Sequence, residues 1–287
     1  MSQDQGPPPE PDKAVALSQG PARLSAQGIR GGYGRGDVVK GVDFRAREGA
    51  VTILVGPNGC GKSTLLKLLS RLLQPREGSV LLDGTPLRDI PTRRVAQRLA
   101  LLPQGPVAPE GLTVRELVAQ GRFPHHSLVR QWSRDDARAV EAAMASAGVT
   151  EFAAQRVDEL SGGQRQRCWI AMVLAQETEI LLLDEPTTFL DLKVQFDLMQ
   201  LLRDIAHRSG RTLVVVMHEL NVAATFADHL VMMRDGVVVA DGPVREVFTS
   251  GNLARVFDLD ANILTDPETG RPICVPRLAT DRALAAE

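Results

Sequence analysis

The chain has 287 residues, of which 44% are hydrophobic and 24% are charged, and its formal net charge at pH 7 is −2. This composition is ordinary for a globular protein and supplies enough apolar material for a sizeable core. The nearly balanced charge excludes proteins that bind nucleic acid through a strongly basic surface, so we expect no nucleic-acid partner.

The two ends of the chain are predicted to lie outside a single globular domain. Residues 1–20 are rich in proline, which predicts a disordered tail. Residues 21–278 keep a globular composition without an internal repeat, and residues 279–287 form a short C-terminal tail. Neither a secretory signal nor an apolar run of about 18 residues is found. If the protein acts at a membrane, we expect another chain to cross it.

Apolar segments alternate with helical patterns along most of the domain. Residues 50–55, 79–82, 99–102, 180–183, 212–217 and 230–233 are predicted strands, and residues 62–73, 164–176 and 192–208 are predicted helices. The segment 180–183 is apolar throughout, as in a strand that is buried on both faces. This alternation predicts an α/β fold with a mostly parallel sheet.

Two regions break the alternation. Residues 22–47 alternate apolar and polar side chains, which predicts an N-terminal antiparallel β-layer. Residues 105–160 are mainly helical and are predicted to form an inserted α-helical lobe, in which Ser133 and Asp136 suit a capping box.

One motif has the pattern of a phosphate-binding loop. The pattern G-x-x-x-x-G-K-[S/T] is matched by Gly56-Pro57-Asn58-Gly59-Cys60-Gly61-Lys62-Ser63, between a predicted strand and a predicted helix. Its backbone N–H groups and the helix N-terminus would surround phosphates. Lys62 would neutralise the β- and γ-oxygens, and Ser63 would ligate Mg²⁺. Thr64 completes the predicted site, which identifies a P-loop nucleotide-binding core with ATP and Mg²⁺ as cofactors.

A pair of acids ends the apolar strand 180–183. Asp184 and Glu185 stand where the parallel sheets of α/β proteins place their ligands. Asp184 would hold Mg²⁺, and Glu185 would orient and deprotonate the attacking water. A kinase needs no such water-activating glutamate. A GTPase would carry an N-K-x-D-like motif, yet none of the five lysines follows an asparagine.

Further motifs lie on either side of the acid pair. Leu160-Ser161-Gly162-Gly163-Gln164 resembles the LSGGQ signature of ATP-binding cassette (ABC) ATPases, and Thr188-Phe189-Leu190-Asp191 follows the strand that carries Glu185. Gln104 comes after the strand 99–102, and His218 comes after the strand 212–217. The chain therefore resembles an ABC ATPase over about residues 22–278.

This resemblance implies a head-to-tail homodimer with two ATP molecules at the interface. The signature residues of one subunit would face the γ-phosphate held by the other subunit; they are Ser161, Gly162, Gly163 and Gln164. Asp191 would connect the two sites across the dimer.

The resemblance also assigns roles to single side chains. His218 would hydrogen-bond the γ-phosphate and steady the water, and Gln104 would ligate Mg²⁺ and relay its state to the helical lobe. Tyr33, the only tyrosine, resembles the aromatic residue that stacks on adenine. The predicted catalytic residues are then Glu185, His218, Gln104 and Lys62.

A narrower resemblance concerns the cargo. Residues 118–125 resemble the ATPases of ferric-siderophore, haem and cobalamin importers. Residues 161–167 with 169–172, and residues 184–191, resemble the ferric enterobactin type most closely, so a ferric-siderophore importer is expected, with haem and cobalamin importers next. The chain would act peripherally at the cytoplasmic face of the cell membrane with a polytopic permease, and indirectly with a substrate-binding protein. A non-transport ABC ATPase, such as an iron–sulfur assembly ATPase, is the alternative, as is a nucleotide-regulated binding protein without turnover.

Two surface expectations follow from the same motifs. Residues 106–111 and 121–126 contain proline and glycine, which predicts exposed loops beside a helix at 113–120 and a docking cleft for the permease. Cys60, inside the phosphate loop, is expected to be an accessible thiol. The three cysteines, Cys60, Cys168 and Cys274, are far apart in the sequence and suit a reducing compartment.

Overall fold

A computed structural model of the protein describes residues 22–34, 36–126 and 132–277. Its strands are β1 (Leu24–Gly31), β2 (Val39–Ala46), β3 (Val51–Val55), β4 (Glu77–Leu82), β5 (Thr85–Pro86), β6 (Leu99–Leu102), β7 (Ile180–Asp184), β8 (Thr212–Val216), β9 (His229–Arg234), β10 (Val237–Pro243), β11 (Ala261–Thr265) and β12 (Pro272–Pro276).

The α-helices are α1 (Lys62–Leu69), α2 (Thr92–Ala96), α3 (Val114–Gln120), α4 (Arg134–Ala147), α5 (Gly162–Ala175), α6 (Leu192–Ser209), α7 (Leu220–Phe226), α8 (Val244–Val247) and α9 (Ser250–Phe257). Short 3₁₀ turns lie at Leu87–Asp89, Phe123–His125, Thr150–Phe152 and Val157–Glu159.

A six-stranded sheet forms the centre of the fold, in the order β10-β9-β3-β8-β7-β6. Strands β3, β6, β7, β8 and β9 run parallel, and β10 pairs antiparallel with β9. Every residue of β3, β7 and β8 is buried, because these strands are apolar on both faces and have structure packed on each side. The predicted α/β fold with a mostly parallel sheet is confirmed.

An antiparallel sheet in the order β2-β1-β4-β5 covers one side of the centre. The predicted β-layer is present, but residues 79–82 belong to this layer and not to the mostly parallel sheet. Only Val80 and Leu82 of β4 are buried, so the strand has the one-sided pattern of an antiparallel layer. The antiparallel hairpin of β11 and β12 was not predicted.

Helix ends follow their local capping chemistry. Helix α1 ends at Leu69, short of the predicted residue 73, and Arg71 just beyond it has a left-handed φ of 64°. Helix α4 begins at the predicted capping box, in which the Ser133 hydroxyl accepts a hydrogen bond from the Asp136 N–H. Gly148 ends α4 with φ 67°, in the left-handed conformation that glycine adopts without cost.

The prediction of an exposed loop over residues 121–126 is wrong for Arg122, whose side chain is only 3% exposed. Its Nε donates to Asp136 Oδ1 at 2.9 Å, and its Nη1 donates to Ala175 O at 2.6 Å and to Glu177 Oε2 at 2.7 Å. Arg122 thus connects the end of α3 to α4 and to the end of α5. Phe123 beside it is 68% exposed, as predicted.

The predicted tails, residues 1–20 and 279–287, lie outside the described residues. Within the described ranges, no helix combines the length and the apolar character that crossing a bilayer requires.

The buried pair of Arg122 and Asp136 predicts an acid-dependent stability. Burial alone would raise the pKa of Asp136, but hydrogen bonds from Ser133 and Arg122 outweigh it and lower the pKa to about 2. Because the pKa is lower in the folded chain than in the unfolded chain, the carboxylate stabilises the fold above about pH 4, and this contribution of about 2 kcal/mol is lost as the pH falls towards 2.

We expect Asp136→Asn to lower the free energy of unfolding at pH 7 by about 3 kcal/mol, because the buried guanidinium loses its one buried carboxylate partner and keeps only the more exposed Glu177. Urea unfolding at pH 7 and at acid pH measures this, and the variant should be less acid-sensitive than the parent. Asp135→Asn alters the exposed pair with Arg138 and should change stability by less than about 1 kcal/mol. Equal losses of stability in the two variants would contradict the stabilising role of the Arg122–Asp136 pair.

Candidate active site

The phosphate loop joins the end of β3 to the start of α1. A side chain at Gly56 would bring its Cβ within 2.2 Å of Met233 O, and Gly61 has φ 107°, so both positions require glycine. The loop therefore turns directly into the N-terminus of α1, where backbone N–H groups lack helical acceptors. The predicted residues Gly56, Pro57, Asn58, Gly59, Cys60 and Gly61 lie in this turn, and Lys62, Ser63 and Thr64 begin α1.

Lys62 is held inside the loop and is only 5% exposed. Its Nζ donates to Gly56 O at 2.8 Å and to Pro57 O at 3.1 Å, and lies 3.9 Å from Cys60 Sγ. All three contacts are to uncharged atoms of the loop. The ammonium group therefore has hydrogen-bond partners, but none of these partners carries a compensating negative charge.

Asp184 is the last residue of β7, which lies two places from β3 in the sheet, and Glu185 follows it directly. Asp184 is 4% exposed, and Ser63 Oγ donates to its Oδ1 at 2.9 Å. Burial raises the pKa of Asp184, although the Ser63 hydrogen bond opposes the shift. The hydroxyl of Ser63 and the carboxylate of Asp184 thus form a compact pair of oxygen ligands beside Lys62.

The Glu185 carboxylate is the meeting point of three side chains. Gln104 Nε2 donates to its Oε2 at 2.6 Å, and His218 Nε2 is hydrogen-bonded to its Oε1. The structure therefore brings together three residues that were predicted from separate parts of the sequence. Thr188 was not predicted; its Oγ1 donates to Glu185 Oε2 at 3.1 Å. A hydroxyl three residues after an acid, in a turn, was the signal that could have found it.

The signature segment lies at the N-terminus of α5. The Ser161 hydroxyl accepts from Gln164 N at 3.3 Å, and Gln164 Oε1 accepts from Ser161 N at 3.0 Å, so the helix is closed by a capping box. Asp191 caps α6 in a similar way by accepting from Val194 N at 3.0 Å. Both helix starts border one cavity of about 320 Å³, whose lining includes Gly162 and Gly163.

This signature cavity is separate from the phosphate loop of the same chain. A second cavity of about 190 Å³ is lined by Pro57, Asn58, Gly59 and Cys60 from the loop, and the two cavities share no lining residue. Helix α5 packs on α3, α4 and β6, whereas α1 packs on β1 and β7. In the described part of the chain, no hydrogen bond joins residues 161–164 to residues 56–64.

Tyr33 lies after β1 and is 56% exposed. Its hydroxyl accepts a hydrogen bond from Lys67 Nζ at 2.9 Å, and that ammonium group lies 5.5 Å from the centre of the ring. Lys67 belongs to α1, so the ring is held next to the helix that the phosphate loop begins.

The expectation of an accessible thiol at Cys60 is wrong. Its side chain is buried, with 5% exposure, and burial raises its pKa although the Lys62 charge opposes the shift. The loop wraps inward around Lys62 and brings Cys60 Sγ against the ammonium group and the glycine-rich backbone. A buried thiol with a raised pKa is a poor nucleophile.

Comparisons with known proteins identify the family of the chain. The family model described as "ABC transporter" matches residues 39–188. The chain belongs to the ABC transporter family. It is an ATPase, and its ABC domain binds ATP.

Two curated relatives and two solved structures illustrate the similarity. The ferric enterobactin transport ATP-binding protein FepC of Escherichia coli is 46% identical over 260 residues, which are 91% of this chain and 96% of the relative. The hemin import ATP-binding protein HmuV of Nocardia farcinica is 43% identical over 91% of this chain and 92% of its own.

Among solved structures, an ABC transporter of the metal-chelate type in an inward-facing conformation is 28% identical, with a TM-score of 0.78 over 90% of this chain and 98% of that chain. A bacterial ABC transporter cassette solved as a dimer is 29% identical, with a TM-score of 0.68 over 77% of this chain and 99% of that chain.

The burial of Cys60 predicts that maleimide will not label it in the folded protein, even without nucleotide, because the thiolate fraction is small and access is blocked. Mass spectrometry of peptides after labelling, with and without urea, measures this. We expect labelling in urea at a rate at least about tenfold above that of the folded chain. Rapid labelling of native Cys60 that ATP prevents would show that the loop is open.

Proposed function

We propose that this chain is the ATP-hydrolysing subunit of an importer that takes up an iron–siderophore complex through a separate membrane permease. The observation that carries the ATPase part is the convergence of Gln104, Glu185 and His218 beside the phosphate loop. The importer part rests on similarity, over nine-tenths of this chain, to relatives whose names specify ferric enterobactin transport and hemin import.

The phosphate loop would hold the triphosphate of ATP. Lys62 would exchange its carbonyl partners for phosphate oxygens, and the N–H groups at the start of α1 would point at the same oxygens. Tyr33 would stack on adenine, since its ring is exposed and lies next to α1.

The site also suits Mg²⁺, which prefers oxygen ligands. Ser63 and Asp184 supply a hydroxyl and a carboxylate within 2.9 Å of each other, and Gln104 retains its amide oxygen. No group of three or more His, Cys, Asp or Glu side chains that could hold a metal occurs in the described ranges, so phosphates and water would complete the shell. Bound there, Mg²⁺ would neutralise charge on the phosphates.

Glu185 would act as the general base for the attacking water. Its carboxylate is fixed by Gln104 and His218, and the backbone at Glu185 is in the left-handed region with φ 51°. A non-glycine residue in this region costs free energy, so the neighbouring contacts must hold it there. His218 would stay next to the γ-phosphate and keep the water oriented.

A second copy of the chain would complete the site. Ser161 and the N-terminus of α5 are exposed and separate from the phosphate loop of their own chain, although a helix N-terminus of this kind favours phosphate. In a head-to-tail dimer, the signature residues 161–164 of one subunit would meet the nucleotide of the other. Asp191, at the edge of the same cavity, would lie at that interface.

The helical lobe would dock on the permease at the cytoplasmic face of the membrane, with the substrate-binding protein acting indirectly. Large apolar side chains are exposed there: Val107, Phe123 and Trp132 are 87%, 68% and 52% exposed. His126 packs edge-on against both aromatic rings, with ring-centre distances of 6.3 Å to Phe123 and 5.8 Å to Trp132. Exposed aromatic groups of this kind mark protein interfaces.

Glu185→Gln tests the enzymatic part. The variant keeps the shape of the side chain but loses the base, so we expect ATP binding within about twofold of the parent and hydrolysis lowered by about 10²–10⁴-fold. An ATP-bound dimer should accumulate and be visible by size-exclusion chromatography with light scattering. Hydrolysis near the parental rate would remove Glu185 from this role.

The same variant tests the cargo in cells that depend on this gene for iron. Glu185→Gln should abolish uptake of radiolabelled iron supplied as a siderophore complex, and the unsubstituted chain should restore it. Iron supplied as haem is the control, because one relative of equal coverage is a hemin importer. Loss of haem uptake alone would replace siderophore by haem as the cargo.

A further inference from the structure

Three donors share the carboxylate of Glu185, and they are unevenly distributed between its two oxygens. Oε2 accepts from Gln104 Nε2 at 2.6 Å and from Thr188 Oγ1 at 3.1 Å, whereas Oε1, among the residues that the structure describes, is hydrogen-bonded only to His218 Nε2. An ionised carboxylate has about four acceptor positions, two on each oxygen. Both positions of Oε2 are therefore occupied, and one position of Oε1 stays open.

The local turn is what brings Thr188 back over Glu185. The Thr188 N–H donates to Glu185 O at 3.3 Å, and Leu190 N donates to Thr187 O at 3.2 Å, so residues 185–190 form consecutive tight turns. Glu185 and Phe189 have left-handed φ values of 51° and 64°. Two non-glycine residues in that region within five positions cost free energy, and the Thr188 hydrogen bond helps to maintain this conformation.

We propose that Thr188 is a positioning residue which, together with Gln104, saturates Oε2 of Glu185 and leaves Oε1 as the atom that accepts the proton from water. This inference rests on the proposed role of Glu185 as the general base. The water oxygen forms the new bond to the γ-phosphorus while its proton moves to Oε1. The bond from the γ-phosphorus to the bridging oxygen breaks, and ADP leaves with the electron pair.

In this role Thr188 needs its hydroxyl group, so a side chain of the same shape without a hydroxyl cannot replace it. If the hydroxyl is lost, one acceptor position on Oε2 opens, and water can bind on the side away from His218. Fewer bound waters are then aligned for attack. Nucleotide affinity should not change, because no contact of Thr188 involves the phosphate loop in the described residues.

The test compares Thr188→Val, Thr188→Ala and Thr188→Ser by steady-state ATP hydrolysis. Valine has nearly the shape of threonine without the hydroxyl, so we expect kcat to fall by about 10- to 100-fold with KM for ATP within about twofold. Alanine should lower kcat as valine does, and it controls for an effect of poor packing by the valine side chain. Serine restores the donor and should recover at least about half of the parental kcat.

Thr269→Val is a matched control, because Thr269 Oγ1 also donates to a carboxylate three residues earlier, that of Asp266, in the β11–β12 connection. It should leave kcat unchanged. Parental kcat in Thr188→Val and Thr188→Ala would overturn the inference, as would serine failing to restore activity in a folded variant. Glu185→Gln, assayed in parallel, distinguishes a failure of the positioning role of Thr188 from a failure of the general-base role of Glu185. If it is inactive while Thr188→Val is fully active, only the positioning role fails; if it is active, the proposed base is wrong.

Discussion

The site is organised around one buried positive charge. The Lys62 ammonium group is almost fully enclosed, and its hydrogen-bond partners are carbonyl oxygens and a thiol. Burying a charge costs several kcal/mol unless an opposite charge or dense hydrogen bonding offsets it. The loop supplies the hydrogen bonds, and Asp184 is near enough to interact electrostatically without forming an ion pair. The phosphates of ATP would supply the negative charge that the loop itself lacks.

The sheet order then explains why the remaining groups gather beside this charge. Strands β3, β8, β7 and β6 are parallel neighbours, so their carboxyl ends lie at one edge. The phosphate loop follows β3, His218 follows β8, Asp184 ends β7 with Glu185 next to it, and Gln104 follows β6. Side chains far apart in sequence reach a common point because each comes directly after a strand of the same sheet.

The features that could be predicted from the sequence are those that depend on strong local patterns. The phosphate loop, the acids of β7 and the Ser133 capping box have fixed spacing, and each lies where it was expected. The predictions that were wrong or missing concern residues whose environment is set by tertiary contacts. Arg122 stands between glycine and proline, but it is buried because its partners come from α4 and from the end of α5. Cys60 is in a glycine-rich loop, but that loop folds inward around the ammonium group. Thr188 was missed because its role depends on the left-handed turn at Glu185.

The central claim is that each active site combines the phosphate loop of one subunit with the signature segment of another. It is tested most directly by mixing two inactive variants, Lys62→Ala and Ser161→Arg, and measuring ATP hydrolysis. In a mixed head-to-tail dimer, one site receives both defects and the other is intact, so an equimolar mixture should recover up to roughly a quarter of the parental rate. A mixture no more active than the two variants measured separately would contradict the claim, because every subunit carries one defect and a site built within one chain cannot be restored.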